Sequence, residues 1–566
     1  MRPPLHGRLG LAWNPAPMST EIAPHARPAL PSELGPEPIL AAIDVGTNSI
    51  HMVVVQIRPD LPAFDIVGTE KATVRLGDRD PATGELTEAA MERALQALQR
   101  CRAIAAARGA TQIVAVATSA VREAPNGRQF LERVIHEVGL EVDLISGPEE
   151  ARRIYLGVLS GMDFQQRHHA IIDIGGGSTE LILGAGQEPL CLTSTKVGAV
   201  RLTQEFIHTD PISPSEYTVL QAYVRGMVER AVDEVKAALP PNTPLRLIGT
   251  SGTIQALAAL HAHQSQGSLP TTFNGYSLAL GDLQQLVQQL RRMPFAERQT
   301  LPELSERRAE IIVAGAIVLQ ETMQLLGCDR VTICERALRE GLIVDWMLSH
   351  GLIEDKLRYQ GSVRQRSVYN QARKFRVDVS HGEQVAQLAL SLFDQLRGQL
   401  HQWGESEREL LWAAAILHNC GHHIDHSSHH KHSYYLIRHG GLLGYNETEI
   451  ELIANLARYH RKSLPKKKHE NFRTLPTKEQ RRLVEQLSAI LRAAVALDRR
   501  QVGAIASLHC RYLAPQRQLL LQLHPARTSE DCALELWSFD YNRHALEAAF
   551  AINVAAELVP QPLSAV

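Results

Sequence analysis

The residues best suited to chemistry lie at positions 170–184, where three glycines and a Ser-Thr pair separate two runs of aliphatic residues. This pattern predicts a β-hairpin whose tip exposes backbone N–H groups and hydroxyls, a suitable site for a phosphate. Asp173 ends the first predicted strand and Glu180 begins the second. Both carboxylates would repel a phosphate unless a divalent cation, Mg²⁺ or Mn²⁺, lay between them. We therefore predict metal-dependent phosphoryl chemistry, with phosphate bound by Gly175, Gly176, Gly177, Ser178 and Thr179.

The same pattern occurs earlier in the chain, at positions 39–56. Asp44, Gly46 and Ser49 match Asp173, Gly175 and Ser178, so the chain contains an internal repeat. Two copies of one phosphate hairpin predict two similar α/β domains that face each other across a cleft. The first copy adds Asp44 to the candidate metal ligands and contributes a second set of candidate phosphate-binding residues, Gly46, Thr47, Asn48 and Ser49.

Between the two hairpins, residues 112–117 read as a buried strand that ends in Thr118 and Ser119, with Arg122 shortly after. An arginine in this position can bind phosphate oxygens through two parallel hydrogen bonds. An ordinary ion pair with a surface carboxylate is the alternative for Arg122. We predict that all three residues bind phosphate.

A helix is predicted to begin after Ser146, which has the capping-box spacing to Glu149. Glu150 lies in the first turn, where the helix dipole favours its ionised form, and this suits a carboxylate that orients or deprotonates a water. A solvated glutamate at a helix start is the alternative. We take Glu150 as the candidate catalytic base and include Glu149 among the candidate metal ligands.

A third candidate anion site follows at Gly249, Thr250, Ser251 and Gly252, where a strand runs through a glycine turn into a helix with free N–H groups. Up to about residue 348, predicted strands and helices alternate, as expected for a pair of α/β domains.

Composition limits the remaining possibilities. A chain of 566 residues is too long for one core, and 44% hydrophobic with 21% charged residues is typical of globular proteins. The seven scattered cysteines argue against a disulfide framework or a zinc knuckle and favour the cytoplasm. No apolar run reaches the ~20 residues of a membrane span, so we expect no membrane anchor.

The net charge of the chain is −2, so any polyanion would need a local basic surface. We expect no nucleic-acid partner. Residues 1–37 read as a disordered tail.

From about residue 349 the sequence becomes helical and rich in histidine. His418, His422 and their neighbours, with His381 and Asp498, resemble part of a metal site, but position 419 is Asn where helical metallohydrolases need an aspartate. We therefore favour histidines that pack at a helix junction. A basic stretch at 458–469 is either a solvated loop or a guide for a long polyanion.

Together, five motifs resemble the exopolyphosphatase and guanosine pentaphosphate phosphohydrolase family. They are 44–49, 117–122, 146–152, 173–180 and 249–252, in order. The resemblance implies duplicated actin-like (ribonuclease H-like) α/β domains with a cleft, an all-α HD-like domain and a small C-terminal α+β piece. The implied domains are 38–153, 154–348, 349–505 and 506–566. Glu150 would be the catalytic base, Asp173 and Glu180 would hold Mg²⁺, and the chain would form a cytoplasmic homodimer.

The predicted function is exopolyphosphatase activity, in which water attacks the terminal phosphorus of inorganic polyphosphate and the helical half holds the remainder of the chain. The alternative within the same reaction class is hydrolysis of the 5′-γ-phosphate of guanosine pentaphosphate (pppGpp), or both activities. A kinase or assembly protein of the actin-like superfamily and a non-catalytic polyphosphate or nucleotide sensor are alternatives from other classes.

Overall fold

The computed structural model describes residues 37–165, 167–186, 188–353, 363–527 and 531–559. The predicted N-terminal tail lies outside these residues, except for residue 37. Two α/β lobes occupy the chain up to residue 353, and a mainly helical half follows from residue 363.

The first lobe is built on a five-stranded sheet in the order β3-β2-β1-β4-β5. Strands β1, β2 and β3 are antiparallel neighbours, whereas β4 and β5 run parallel to β1. The strands are β1 (Ile39–Val45), β2 (Ser49–Arg58), β3 (Ala63–Thr73), β4 (Gln112–Ala117) and β5 (Asp143–Leu144). The helices are Glu88–Ala107, Ser119–Glu123, Gly127–Arg133, a π-helix at Val134–Val138, and Gly147–Gly161.

The second lobe repeats this plan with one added edge strand, in the order β10-β11-β9-β6-β7-β8. Its strands are β6 (His169–Ile174), β7 (Thr179–Gly184), β8 (Cys191–Thr195), β9 (Arg246–Thr250), β10 (Ser277–Ala279) and β11 (Arg330–Ile333). Its helices are Ala199–Phe206, Pro214–Ala238, Gly252–Gln266, Leu280–Leu290, Phe295–Arg298, Glu306–Leu326 and Leu338–Ser349. Strands β6, β7, β8, β9 and β11 correspond to β1 to β5, so the two sheets have the same order and directions.

The two predicted hairpins are equivalent in register. Asp44 pairs with His51 across the first, and Asp173 pairs with Glu180 across the second. Each tip is closed by the same bond, in which a glycine N–H donates to a serine carbonyl, from Gly46 to Ser49 and from Gly175 to Ser178. The repeat found in the sequence is therefore a repeat of structure.

Two helices, Gly147–Gly161 and Leu338–Ser349, pack against each other and share one hydrophobic core with residues of both sheets. The two helices approach closely at Gly157. A Cβ atom added there would lie 1.9 Å from the Ala337 carbonyl oxygen, so only glycine fits. The predicted boundary between residues 153 and 154 falls inside the first of these helices. The two lobes are therefore not separated between residues 153 and 154, because helix Gly147–Gly161 belongs to the core that joins them.

Helix Glu306–Leu326 is long and apolar enough to cross a membrane, with a mean hydropathy of 1.4 over 18 residues, contrary to the expectation from the sequence. It is 83% buried inside the second lobe over that window and packs against five of its helices. Its apolar character is that of a core helix.

The C-terminal half consists of the helices Val363–Lys374, Val379–Leu396, Glu405–Leu417, Cys420–His423 (3₁₀), His429–His439, Glu447–Arg458, Glu470–Arg473 and Lys478–Leu497. A three-stranded sheet follows, formed by β12 (Ile505–Leu513), β13 (Gln518–Pro525) and β14 (Asn553–Leu558), with the short helices Ala514–Gln516 (3₁₀), Ala533–Asn542 and His544–Phe550. One hydrophobic core runs through all of these elements except the 3₁₀ helix Ala514–Gln516. The predicted boundary at 505/506 therefore does not separate two cores. The likeness of the helical part to HD domains stays a prediction.

Candidate functional site

The tips of the two hairpins meet between the lobes. A side chain at Gly177 would lie 2.5 Å from Ser119 Oγ and 2.9 Å from Thr47 Oγ1, so only hydrogen fits where the second tip touches the first lobe. A cavity of about 180 Å³ lies at this junction. Most of the predicted site residues line it: Asp44, Gly46, Thr47, Asn48, Ser49, Thr118, Ser119, Glu150, Asp173, Gly175, Gly176, Gly177, Ser178, Ser251 and Gly252.

Four carboxyl groups cluster at this cavity, and each has a raised pKa. Burial is the main cause in every case. It raises the pKa of Asp44 to about 6 and those of Asp173 and Glu180 to about 7, and the charge of Asp173 raises that of Glu180 further. Glu180 does not line the cavity itself but stands beside Asp173 and accepts a hydrogen bond from Ser194 Oγ at 2.8 Å. Burial thus disfavours the ionised form of each of these four carboxyl groups.

Glu150 is held in place by its helix and by Arg122. Ser146 caps the helix as predicted, accepting from the Glu149 N–H at 3.3 Å. Arg122 Nη1 donates to Glu150 Oε2 at 3.1 Å and to the Ile145 carbonyl at 2.8 Å. Burial and the neighbouring Glu180 raise the pKa of Glu150 well above its usual value, and Arg122 opposes this. A carboxyl group with a raised pKa is a stronger base once it is ionised.

Other predicted site residues lie outside the cavity. Arg122 reaches the site only through Glu150. Glu149 forms ion pairs with Arg152 at 2.8 Å and Arg153 at 2.7 Å. Because its carboxylate is engaged in these ion pairs, Glu149 is not part of the cluster of four carboxyl groups at the cavity. Thr179 Oγ1 donates to the Val197 carbonyl, Thr250 Oγ1 donates to the Arg336 carbonyl at 3.1 Å, and Gly249 lies within β9.

The cavity also contains cationic residues that the sequence analysis missed, Arg308 and Arg339. Arg308 donates to Thr253 Oγ1 at 2.8 Å, and burial lowers its pKa to about 10. Among the described residues neither arginine forms an ion pair with a carboxylate, although the charge of Arg339 acts on Asp44 and Asp173. Both lie in the first turn of a helix, Glu306–Leu326 and Leu338–Ser349, and an arginine at such a position is the signal that could have found them.

His51 was also missed, although it occupies in the first hairpin the position that Glu180 has in the second. Burial and the charges of Arg339, Lys71 and Arg308 lower its pKa to about 3, so the ring is neutral at neutral pH. The two hairpins therefore differ in chemistry at this position: the second has the carboxyl group of Glu180, and the first has the neutral imidazole of His51.

Ser251 has a backbone φ of +96°, which is unfavourable for a residue with a side chain. It caps helix Gly252–Gln266 by accepting from the Ile254 N–H at 3.4 Å, and it lines the cavity. Gly252 and Thr253 line the cavity as well, so the start of this helix, with its free N–H groups, lies beside it.

A model of the Ppx/GppA phosphatase family matches residues 53–350, and a model of domain III of that family matches residues 363–543. The chain belongs to the Ppx/GppA phosphatase family. It is similar to guanosine-5'-triphosphate,3'-diphosphate pyrophosphatases from Pseudoalteromonas atlantica, 28% identical over 84% of this chain and 89% of that protein, and from Vibrio parahaemolyticus, 31% identical over 76% of this chain and 82% of that protein.

Among solved structures, the lobes of this Ppx/GppA family member are similar to a crystal structure of an exopolyphosphatase from Cytophaga hutchinsonii. The identity is 29% and the TM-score 0.51, over 55% of this chain and 98% of that one. The relatives named for the guanosine nucleotide therefore match most of the chain, including part of its C-terminal half, whereas this structure matches 55% of it.

The carboxylates of this family member fit a magnesium ion. Asp44 Oδ1 is buried and has no hydrogen-bond partner, an arrangement that costs free energy unless a cation or water engages it. Mg²⁺ prefers carboxylate oxygens and keeps several waters or substrate oxygens, so one or two protein ligands suffice. Within the described ranges no group of three or more His, Cys, Asp or Glu side chains is arranged to hold a metal ion. Binding of Mg²⁺ by Asp44, Asp173 and Glu180 therefore stays a prediction.

The histidine cluster of domain III is a packed arrangement in this structure. His381 Nδ1 and Asp498 Oδ2 are 2.7 Å apart, and His418 Nδ1 lies 2.7 Å from the Ala415 carbonyl oxygen. Asn419 supplies a neutral amide where a metal site would need an anionic ligand.

Proposed function

We propose that this Ppx/GppA family member hydrolyses terminal phosphoanhydride bonds, using Glu150 to activate the attacking water. The observation that carries the proposal is the position of Glu150, a buried carboxylate fixed by Arg122 at a cavity whose other walls are the two glycine-rich tips. A water held by Glu150 would attack the terminal phosphorus in line with the bond to the leaving phosphate.

The rest of the cavity would bind the phosphoryl groups. The two tips offer backbone N–H groups and hydroxyls, and Arg308 and Arg339 bring positive charge that no carboxylate of the described residues pairs with. Bound Mg²⁺, held by Asp44, Asp173 and Glu180, would supply neutralisation of the charge that develops on the transferred group. In the protein alone, burial is the main cause of the raised pKa values of these carboxyl groups.

Two substrates fit this reaction, inorganic polyphosphate and pppGpp. A cavity of about 180 Å³ is smaller than a typical site for a whole nucleotide. It would therefore enclose the terminal phosphoryl groups and leave the rest of either substrate outside. The similarity of the two lobes to the Cytophaga hutchinsonii exopolyphosphatase favours polyphosphate. The relatives named for the guanosine nucleotide favour pppGpp, because they match most of this chain.

The test is phosphate release by the purified protein with Mg²⁺, comparing long-chain polyphosphate with pppGpp at equal concentrations of terminal phosphates. We expect release from both. A kcat/KM at least about tenfold higher for one identifies the preferred substrate, corresponding to ~1.4 kcal/mol of difference in transition-state binding. No release from either substrate would contradict the proposal and favour a non-catalytic sensor.

A further inference from the structure

A second cavity, of about 530 Å³, lies in the C-terminal half and shares no residue with the phosphate site. Residues of helices Val379–Leu396, Lys478–Leu497 and Ala533–Asn542 line it, together with the segment that follows helix Glu447–Arg458. Its volume is in the range of small-molecule binding sites. The proposed hydrolysis makes no use of it.

The charged residues of this cavity are out of balance. Four are cations, Arg461, Lys462, Arg492 and Arg499, whereas Asp498 is the one carboxylate that lines it. The Asp498 carboxylate is already engaged by His381 and by the Gly503 N–H at 3.0 Å.

Within the part of the chain that the structure describes, none of the four cations forms an ion pair with a carboxylate. Arg461 instead contacts the His429 ring, Lys462 donates to the Ser427 carbonyl and Arg492 donates to the Tyr459 carbonyl. The neighbouring charge of Arg499 adds to burial in lowering the pKa of Arg461. Cations crowded in this way are stabilised by an anion, and guanidinium groups suit phosphate in particular.

Two aromatic side chains border the same cavity. Trp537 and Tyr541 lie one turn apart on helix Ala533–Asn542 and are 61% and 72% exposed. Their rings are stacked at an interplanar angle of 19°, with centroids 6.0 Å apart. Large aromatic rings exposed beside a cationic site form a surface on which a nucleic-acid base can stack.

Polar groups deeper in the cavity are also free to bind. His381 is 6% exposed, and its Nε2 atom has no hydrogen-bond partner. Asn419 offers an amide, which hydrogen-bonds without repelling an anion as an aspartate would.

We propose that this cavity binds a nucleoside polyphosphate, with the base on Trp537 and Tyr541 and the phosphates on Arg461, Lys462 and Arg499. The aromatic pair distinguishes this ligand from inorganic polyphosphate, which has phosphates but no base. The site is separate from the hydrolytic one, so the proposal does not depend on the proposed function.

The test uses the full-length protein and measures binding by calorimetry. The probes are a non-hydrolysable GTP analogue, guanosine 5′-(β,γ-imido)triphosphate, and tripolyphosphate. The variants are Trp537→Ala with Tyr541→Ala, and Arg461→Ala with Arg499→Ala. The control combines Tyr435→Ala and Arg482→Ala, exposed residues of the same half that do not line the cavity.

We expect either double variant to weaken one GTP-analogue site at least about tenfold, as loss of base stacking or phosphate contacts does. Tripolyphosphate binding should fall only in the arginine variant, and the control should behave as wild type. Phosphate release from tripolyphosphate, which is too short to need the basic stretch 458–469, should be unchanged throughout. Analogue binding that is equal in all variants would overturn the proposal. An aromatic variant that binds the analogue normally while the arginine variant loses it would show a phosphate-only site and would also overturn it.

Discussion

Asp44, Glu150, Asp173 and Glu180 bring four carboxyl groups to one place in the protein interior, where burial raises the pKa of each. An arrangement of this kind costs folding free energy and is retained where binding a cation and an anion repays it. At the scale of single residues, this cost gives two measurable consequences.

The first concerns stability. Asp173 has a pKa of about 7 in the folded protein against an ordinary 3.8. The folded state therefore keeps a proton that the unfolded state releases, and the stability of the metal-free protein falls as the pH rises from about 4 to 7. Asp173→Asn removes this penalty. We expect it to raise the free energy of unfolding at pH 8 by about 1 to 3 kcal/mol and to abolish metal-dependent activity.

Urea denaturation at pH 5 and pH 8 in the presence of a chelator measures this effect. Asp233→Asn, at an exposed helix position, is the control and should change stability by less than about 0.5 kcal/mol. If Asp173→Asn destabilised the protein at pH 8, the assignment of a strained carboxylate cluster would be wrong.

The second consequence concerns the metal. Protons compete with Mg²⁺ for carboxylates whose pKa values lie near 6 to 7. The Mg²⁺ concentration for half-maximal phosphate release should therefore fall by about tenfold between pH 6 and pH 8. A half-saturating concentration that stays the same across this range would exclude these groups as the metal ligands.

At the scale of elements, the contact between the hairpin tips is the critical feature. An added methyl at Gly177 would meet Ser119 Oγ at 2.5 Å and Thr47 Oγ1 at 2.9 Å. We expect Gly177→Ala to push the tips apart and lower kcat/KM by at least about tenfold, because displacements near 1 Å at a reacting centre have effects of this size.

Gly226→Ala is the matched control for this substitution. Gly226 lies within helix Pro214–Ala238 with no atom within 4 Å of the added methyl, so alanine there should stabilise the protein by about 0.5 to 1 kcal/mol and leave activity unchanged. Equal activity of both variants in the phosphate-release assay would contradict the account of the tips.

The hairpins themselves could be predicted from the sequence because they are local. Glycines, a serine and an aspartate at fixed spacing specify a tight turn between two strands, and the repeat of that spacing indicated two similar lobes. The capping of Glu150's helix by Ser146 is equally local. Glu149 is also a glutamate and lies in the same helical turn as Glu150. Its carboxylate does not line the cavity because it pairs with Arg152 and Arg153 instead.

The sequence did not predict which elements remote along the chain lie close together in space. Arg308 and Arg339 reach the cavity because two helices of the second lobe begin there. The sequence places both arginines in a first helical turn, but it does not show which helix starts border the cavity. His51 was missed because the repeat was recognised by its matching residues, whereas His51 and Glu180 differ. The domain boundaries at 153/154 and 505/506 stay predictions. The structure places the first inside helix Gly147–Gly161 and the second within one shared core, because residues remote along the chain pack together.

At the scale of the whole molecule, the hydrophobic cores divide the chain near residue 353. Three cores use residues up to Ile353 only, and a fourth uses residues from Val368 onward. A fragment comprising residues 37–353 should therefore fold cooperatively and release phosphate from tripolyphosphate.

The same fragment should bind long-chain polyphosphate more weakly than the full chain does, because it lacks the exposed Lys466, Lys467 and Lys468. Comparing KM for tripolyphosphate and for long chains in both proteins tests this point. An equal change in KM for short and long substrates would rule out a guiding role for the basic stretch.

The central claim is that Glu150 activates the attacking water, and substitution by its isosteric amide tests it most directly. Steady-state phosphate release with Mg²⁺ would be measured for wild type, Glu150→Gln and the neighbouring control Glu149→Gln, with circular dichroism to confirm that each is folded. Loss of a general base predicts that Glu150→Gln lowers kcat by about 10² to 10⁴ while substrate still binds, and that Glu149→Gln stays near wild type. A Glu150→Gln enzyme that turns over at the wild-type rate would contradict the account.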